Sequence, residues 1–277
     1  MRNQILGAPV ADEATGGYHG FVDVLDVLAF VAEELSSSYP TGKLDEFVRD
    51  NTRMDSESVL TVIDKSNRDK FTILPAQSTV RQALQRLVEG KLHRIAVAGE
   101  DKKLCMVLTD FALLHRLYAD KDTVCSGSSI LQSSIGELQL GSAKAVTIGK
   151  SKSTLDAFME MNRHHISGIG IVDDATGYLI GNVSARDLRH ALTGLMAEEL
   201  KLPIHSFISR IRRADVEHDN PSVSVTENAA FELAFGRLVA TRLHRLYVIT
   251  PEGLPRQVIS ILDVLSCIHK HVPAHRN

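Results

Sequence analysis

Tryptophan is absent from this sequence, aromatic residues make up only 5% of it, and cysteine occurs three times in 277 residues. Cys105, Cys125 and Cys267 are too few and too scattered for a disulfide framework or a cysteine-based zinc site, so buried or idle thiols in a reducing compartment are expected. Long apolar runs are missing too. No window approaches the roughly 18 apolar residues of a membrane span, and Met1-Arg2-Asn3-Gln4 lacks the apolar stretch of a signal peptide. A cytosolic or nuclear location is the expectation. Charge of one sign is also lacking: 31 basic and 34 acidic residues leave a net charge of -3, which gives no electrostatic footprint for nucleic acid or an anionic membrane. No Ser-His-Asp, Cys-His or paired-carboxylate constellation carries a sequence signature, so neither catalysis nor a cofactor is expected.

What is present is a 44% apolar chain, long enough for one large or two ordinary domains, and an internal repeat. The clearest copy, the fourth, reads as a strand over 223–225, a helix over 229–241, strands over 244–249 and 257–260, and a helix over 263–270. The second copy gives 72–74, 79–90, 93–98, 104–109 and 111–118; the third gives 145–148, 154–163, 167–172, 179–184 and 187–195. Val80, Ala83, Leu84, Leu87 and Val88 recur at helical spacing, while Ile95-Ala96-Val97 and Ile169-Gly170-Ile171-Val172 are apolar without alternation, as in strands covered on both faces. One such module cannot bury its own sheet, so modules should pair.

The first copy starts part-way through the pattern. Residues 7–12 match the second strand, 19–22 the third and 26–34 the last helix, with no counterpart of the opening strand and helix. Either the chain is shortened, or the first module exposes apolar surface that a partner or another segment covers. The expected layout is an incomplete repeat over 1–35, a linker over 36–70 with a short helix near 44–49, a repeat over 71–119, a linker over 120–144, a repeat over 145–196, a linker over 197–222 and a repeat over 223–272. The class is α/β, of the α+β kind.

Each complete copy ends its last strand on a hydroxyl: Thr109, Ser184 and Ser260. Three residues later stands an acid in copies three and four, Asp187 and Asp263, whereas copy two has Ala112. Copy one has Asp23 for the hydroxyl and Asp26 for the acid. Such a pattern can simply cap a helix. It can also present a carboxylate to the hydroxyls of a ribose while free N–H groups face phosphate, and the two roles are compatible. No ribose clamp is expected in copy two. His93-Arg94 and His244-Arg245 open the second strand of copies two and four, where copy three has Ser167-Gly168 preceded by His165. Basic groups entering a buried strand need a partner: an acid of a neighbouring module, or an anion. Recurrence of the pair in two copies favours the phosphate reading, with Arg as a fork and His as a donor.

Gly20-Phe21-Val22-Asp23-Val24-Leu25-Asp26, His93-Arg94-Ile95-Ala96-Val97 and His244-Arg245-Leu246-Tyr247-Val248-Ile249, with Ser260 and Asp263, resemble cystathionine beta-synthase (CBS) repeats. The two His-Arg pairs resemble those of the gamma regulatory subunit of AMP-activated and sucrose non-fermenting protein kinases, and residues 62–71 resemble gamma-like CBS proteins of fungi and plants. The resemblance covers nearly the whole chain. It implies four tandem CBS repeats forming two Bateman modules in a disk, adenine nucleotides (AMP, ADP or ATP) near its centre, and kinase catalytic and scaffold subunits as partners. It also implies that His93, Arg94, His244 and Arg245 contact phosphate, that Ser167 makes a further contact, and that Ser260 and Asp263 supply the hydroxyl and ribose acid. The sequence departs from that family at Leu6 and Phe111, which stand where it has basic residues, and His165 is not at the strand-opening position itself. The other reading of the same residues is a nucleotide-independent scaffold that regulates a kinase or a phosphatase.

Three weaker signals are set aside. Gly149-Lys150-Ser151 has the setting of a P-loop but lacks its first glycine, since Lys144 stands there, and a serine cap explains it better. His164-His165 and His269-Lys270-His271 have no nearby Cys or carboxylate to complete a metal set. Arg210, Arg212 and Arg213 could bind a phosphate or an acidic partner surface, but a solvated helix face is the usual outcome and is expected here.

Overall fold

The computed structural model describes residues 7–38, 56–68, 70–141, 143–192, 196–214 and 224–272. Its elements repeat one plan. In copy two, β3 (Ile73–Pro75) runs parallel to β4 (Arg94–Ala98), which pairs antiparallel with β5 (Leu104–Thr109). Helix α2 (Val80–Gly90) links β3 to β4, and α3 (Asp110–Ala119) follows β5 directly. Copy three repeats this with β7 (Thr147–Gly149), α5 (Thr154–Arg163), β8 (Gly168–Val172) and β9 (Leu179–Ser184). Copy four does so with β10 (Ser224–Thr226), α9 (Phe231–Thr241), β11 (Arg245–Ile249), β12 (Pro255–Ser260) and α10 (Ile261–His271). Copy one shows the antiparallel pair β1 (Gly7–Asp12) and β2 (Gly17–Asp23) and then α1 (Val24–Ser38). Leu6 and the expected helix over 44–49 lie outside the described residues.

Two details show that the copies are one design. The antiparallel register slips once near the hairpin in all four, between Val10/Ala11, Val97/Ala98, Ile171/Val172 and Val248/Ile249, the local kink of a bulge. The turn from first helix to second strand holds a left-handed residue at the same place in three copies, Lys91 (φ 51), His165 (φ 51) and Arg242 (φ 54). Leu92 N–H then reaches Leu87 C=O at 2.9 Å and Ile166 N–H reaches Met161 C=O at 3.0 Å, closing the helix ends as in a Schellman motif. None of the three is glycine, so each turn costs about 1–2 kcal/mol that the packing around it must offset.

The first helices of copies two and three start on the hydroxyl-x-x-acceptor pattern, whereas α9 of copy four starts at Ala230 with no side-chain cap. Thr79 accepts from Gln82 N–H while Gln82 caps Thr79 in return, and Ser153 and Asp156 do the same for α5. Of the helical stripe in copy two, Ala83, Leu84 and Leu87 are buried and Val88 packs beside them, but Val80 faces out at 54% exposure. The last helix of copy three begins as a 3-10 turn, Ala185–Asp187, and continues as α6 (Leu188–Leu192).

The chain divides into two compact units, 1–68 with 146–219, and 69–145 with 220–277. The first joins copies one and three, the second copies two and four, so each unit pairs modules that are not consecutive in sequence. In the second unit α2, α3, α9 and α10 bury Leu87, Leu114, Phe235, Leu238 and Leu265 in one core. In the first, Phe158 and Phe207 meet edge to face at 6.3 Å beside Met161 and Ile169, a geometry worth about 0.5–1.5 kcal/mol beyond the area it buries.

The three stretches expected as linkers do more than connect. Residues 120–144 form α4 (Lys121–Val124), bury Ile130, Leu131, Ile135 and Leu140, and supply β6 (Ala143–Lys144) as a fourth strand beside β12. Residues 197–222 include most of α7 (Met196–Lys201) and all of α8 (Ile204–Ala214), with Leu200, Ile204, Phe207 and Ile208 in the core. Within 36–70, Ile63 and Asp64 lie over copy one so closely that a Cβ on Gly20 would come within 2.9 Å of Ile63 and 3.2 Å of Asp64. Among the described residues no helix is long and apolar enough to cross a membrane.

Replacing Phe207 by Ala should therefore lower stability by about 3–5 kcal/mol in urea denaturation, where a true linker position would change by less than about 0.5 kcal/mol. Cys105 is exposed, whereas burial pushes the Cys125 thiol up and that of Cys267 up to about 11. One thiol per native chain should react with an aromatic disulfide at neutral pH, and three after unfolding.

Candidate ligand-binding site

The site residues are set by one junction. In every copy the last strand runs into the following helical segment with no residue between, at Asp23/Val24, Thr109/Asp110, Ser184/Ala185 and Ser260/Ile261. The strand's final residue must therefore satisfy N–H groups that the helix leaves open. In copy four, Ser260 N–H and Oγ both donate to Asp263 Oδ2 at 2.7 Å, and Asp263 N–H returns a bond to Ser260 Oγ at 3.2 Å. In copy three, Ser184 N–H and Oγ donate to Asp187 Oδ2 at 2.7 and 2.8 Å. Both acids spend Oδ2 on the cap, and among the described residues no hydrogen bond engages Oδ1 of either.

Strand register decides what lies across from these hydroxyls. Arg245 pairs with Ser260, and Arg94 with Thr109, so each arginine sits opposite the capping residue of its own copy. In copy three the partner of Ser184 is Gly168, which brings no side chain. Ser167 beside it accepts Ala185 N–H on its carbonyl at 3.0 Å, fixing strand to turn.

Copy one differs. Asp26 is 3% exposed; its Oδ2 accepts Asp23 N–H and its Oδ1 accepts Ser66 N–H, both at 2.9 Å. With a main-chain donor on each oxygen and only 3% of its surface exposed, Asp26 is a buried brace and is not open to a ribose in the way Asp187 and Asp263 are. Burial, opposed by the Ser66 bonds and reinforced by the Asp23 charge, leaves its carboxyl above the ordinary 3.8.

Copy two has Thr109 accepting Ala112 N–H at 3.1 Å and, beside it, an acid that the repeat pattern does not anticipate. Asp110, 2% exposed, holds His93 Nδ1 at 2.7 Å through Oδ2 and Phe111 N–H at 2.7 Å through Oδ1. His93 is thus paired with an acid of its own module, where the sequence suggested an acid of a neighbouring one or a phosphate. The signal was a carboxylate at the position where the other copies have Val24, Ala185 and Ile261. Phe111 stacks on His244 with ring centroids 5.9 Å apart and planes at 22°. The second unit therefore gathers His93, Asp110, Phe111 and His244. His165, on its left-handed turn, instead lines a small cavity with Ser66, Arg68 and Asn162.

The weaker signals resolve as local contacts. Lys150 of the Gly-Lys-Ser turn pairs with Asp173, which raises the lysine and lowers the acid below the usual carboxylate range. His164 lies 3.4 Å from Glu160, and His271 Nδ1 is 2.9 Å from Cys267 C=O. Among the described residues no group of three or more His, Cys, Asp or Glu side chains could hold a metal ion. The arginine cluster is not uniformly solvated as expected. Arg210 pairs with Glu199, but Arg212 is half-buried and donates Nη2 to Asn182 C=O at 3.3 Å. The Arg213 side chain is outside the described residues.

Comparison with known proteins agrees with this architecture. The CBS domain family model matches residues 136–194, which include copy three. A Methanocaldococcus jannaschii crystal structure, described as that of a candidate archaeal homologue of g-AMPK, superposes with a TM-score of 0.69 over 95% of this chain and 88% of that one, at 13% identity. A conserved Pyrococcus horikoshii protein gives a TM-score of 0.58 over 95% and 90%, at 14% identity. The fold is that of tandem CBS proteins. By sequence, the chain is 26% identical over 259 residues to protein sds23 of Aspergillus niger, covering 88% of this chain and 51% of that protein. It is 24% identical over 285 residues to SDS23 of Kluyveromyces lactis, covering 90% and 54%. The chain spans about half the length of these curated relatives.

Because the folded-state pKa of Asp26 is raised, its stabilising share is complete below pH 3.8 and is lost as pH rises through the raised value. The melting-temperature difference between the wild type and the non-titrating Asp26→Asn should shift in favour of the variant from below pH 3.8 to neutrality. A difference constant over that range would contradict the burial effect.

Proposed function

We propose that this protein is a non-catalytic regulatory subunit that binds adenine nucleotides, AMP, ADP or ATP, and through them controls a protein kinase complex. The observation that carries this reading is the end of β12. Asp263 caps the last helix with one carboxylate oxygen and keeps the other for a ligand, while the register places Arg245 across from Ser260. A carboxylate with a spare oxygen can accept the two hydroxyls of a ribose. An arginine beside a helix N-terminus can take phosphate oxygens, and the Phe111–His244 stack adds a flat aromatic surface in the same unit. The fold shared with the Methanocaldococcus jannaschii protein, a candidate archaeal homologue of g-AMPK by its description, is compatible with the reading. Ligands that bind one assembly of the complex better than another would shift its equilibrium by that difference in affinity.

A second reading, a nucleotide-independent scaffold for a kinase or a phosphatase, is favoured by two contacts. His93 is bonded to Asp110 and Asp26 is bonded to Ser66 and Asp23, so these two residues brace the fold. The sequence likeness to the sds23 proteins is compatible with either reading.

The two readings separate in one experiment on the intact protein, thermal shift and calorimetry with AMP, ADP and ATP. A ligand at a hundredfold excess over its Kd should stabilise the wild type by about 2.7 kcal/mol. Arg245→Ala and Asp263→Ala should each weaken binding by about tenfold or more. A scaffold would show a lower melting temperature for Asp263→Ala and no response of any variant to nucleotide; flat titrations of a folded wild-type sample would remove the nucleotide reading.

A further inference from the structure

The last strand of each copy has an outer edge, and the shared register allows the four edges to be compared residue by residue. Gly20, Met106, Gly181 and Gln257 occupy one position, and Phe21, Val107, Asn182 and Val258 the next. Three of these places are reached by a segment from between the repeats. In copy four, Lys144 and Ala143 of β6 pair antiparallel with Gln257 and Val258, and Arg256 C=O accepts Ala145 N–H at 2.9 Å. In copy three, Arg212 of α8 donates to Asn182 C=O at 3.3 Å. In copy one, Ile63 and Asp64 close over Gly20. Among the described residues each connecting stretch thus serves one copy, and copy two is left over. No described strand lies beyond β5, where Met106 is 54% and Val107 36% exposed.

The outer edge of a sheet is a row of main-chain donors and acceptors that templates a further strand unless charge or proline discourages it. Strand β12 carries Pro255 and Arg256 ahead of its paired residues. Strand β5 reads Leu-Cys-Met-Val-Leu-Thr, with no charge and no proline. Cys105 and Val107 stand where Arg256 and Val258 stand, so their main-chain groups face away from β4 as those of copy four face β6. Ile73, in the same cross-strand row as Val107 and on the same face, is exposed as well and widens the apolar surface.

We propose that the outer edge of β5 pairs with β5 of a second copy of this chain, antiparallel across a two-fold axis near Met106 and Val107. A two-fold axis normal to the sheet sets a strand antiparallel to its own copy, which is the sense in which β6 joins β12. A strand without charged side chains brings no like charge against itself, so β5 is self-complementary. The pairing uses both open edges at once, so the assembly closes as a dimer and does not grow. Nucleotide binding plays no part in this contact.

Light scattering and sedimentation velocity on the full chain test it. The wild type should be a dimer that dissociates on dilution. Met106→Lys and Met106→Glu, at an exposed position, should keep the wild-type circular dichroism and weaken dimerisation about tenfold or more, because two like charges then approach across the axis. An equal mixture of the two variants should restore the dimer, since lysine of one copy meets glutamate of the other. Val107→Lys and Val107→Glu repeat the comparison one residue along if a Met106 substitution disturbs the sheet. A wild type that stays monomeric throughout a concentration series would overturn the proposal. So would a dimer that none of the folded variants weakens, which places the contact elsewhere, or a mixture of folded variants that remains monomeric.

Discussion

The junction at which each last strand becomes helical without a connecting residue constrains the rest of this protein. A helix that starts there has open N–H groups and no loop to satisfy them, so the final strand residue and the acid of the first turn must do so. Copies three and four meet the demand with Ser184–Asp187 and Ser260–Asp263. A carboxylate has two oxygens, and the cap needs one. Structural necessity therefore places a half-used acid at the same point in both copies, beside the positive end of a helical segment, which is where an anionic ligand with a diol finds both partners.

The other two copies show what happens when that acid is used up or moved. In copy one the segment after the repeat folds back and Ser66 takes the second oxygen of Asp26, making it a buried brace. The close approach of Ile63 and Asp64 at Gly20 belongs to the same closure. In copy two the acid stands two positions earlier, and Asp110 fastens the helix start to His93. One backbone plan thus serves two jobs, and the position of a single carboxylate decides between them. A brace stabilises without ligand; a half-used acid leaves capacity for one.

The sequence made the repeat legible because its signals are local: apolar strands without alternation, helical spacing, and a hydroxyl three residues before an acid. Strand limits agree with the structure within about two residues for the same reason. What it hid depends on register or on distant segments. The pairing of His93 with Asp110 is visible only once Arg94 is known to face Thr109, which sets the residues before and after them side by side. The apolar spacing Ile204, Phe207, Ile208, Ile211 is as regular as that of α2, but the neighbouring arginines drew α8 toward a solvated reading. Val80 failed in the other direction: the first residue of α2 fits the helical stripe and yet faces out.

The position of α8 also explains why a segment between repeats is held so firmly. A guanidinium half-removed from water must be oriented by something stiffer than its own rotamers, because a long side chain loses about 2 kcal/mol of conformational freedom when fixed. Phe207 packed edge to face on Phe158, with Ile204 and Ile208 beside it, supplies that stiffness, Ile208 lying one turn before Arg212 on the same side of the helix. The strand-opening arginines of copies two and four obtain the same rigidity from their ladder bonds. Copy three opens its middle strand on Gly168 and carries a guanidinium instead in the turn that follows β9, where Arg186 stands between Ser184 and Asp187.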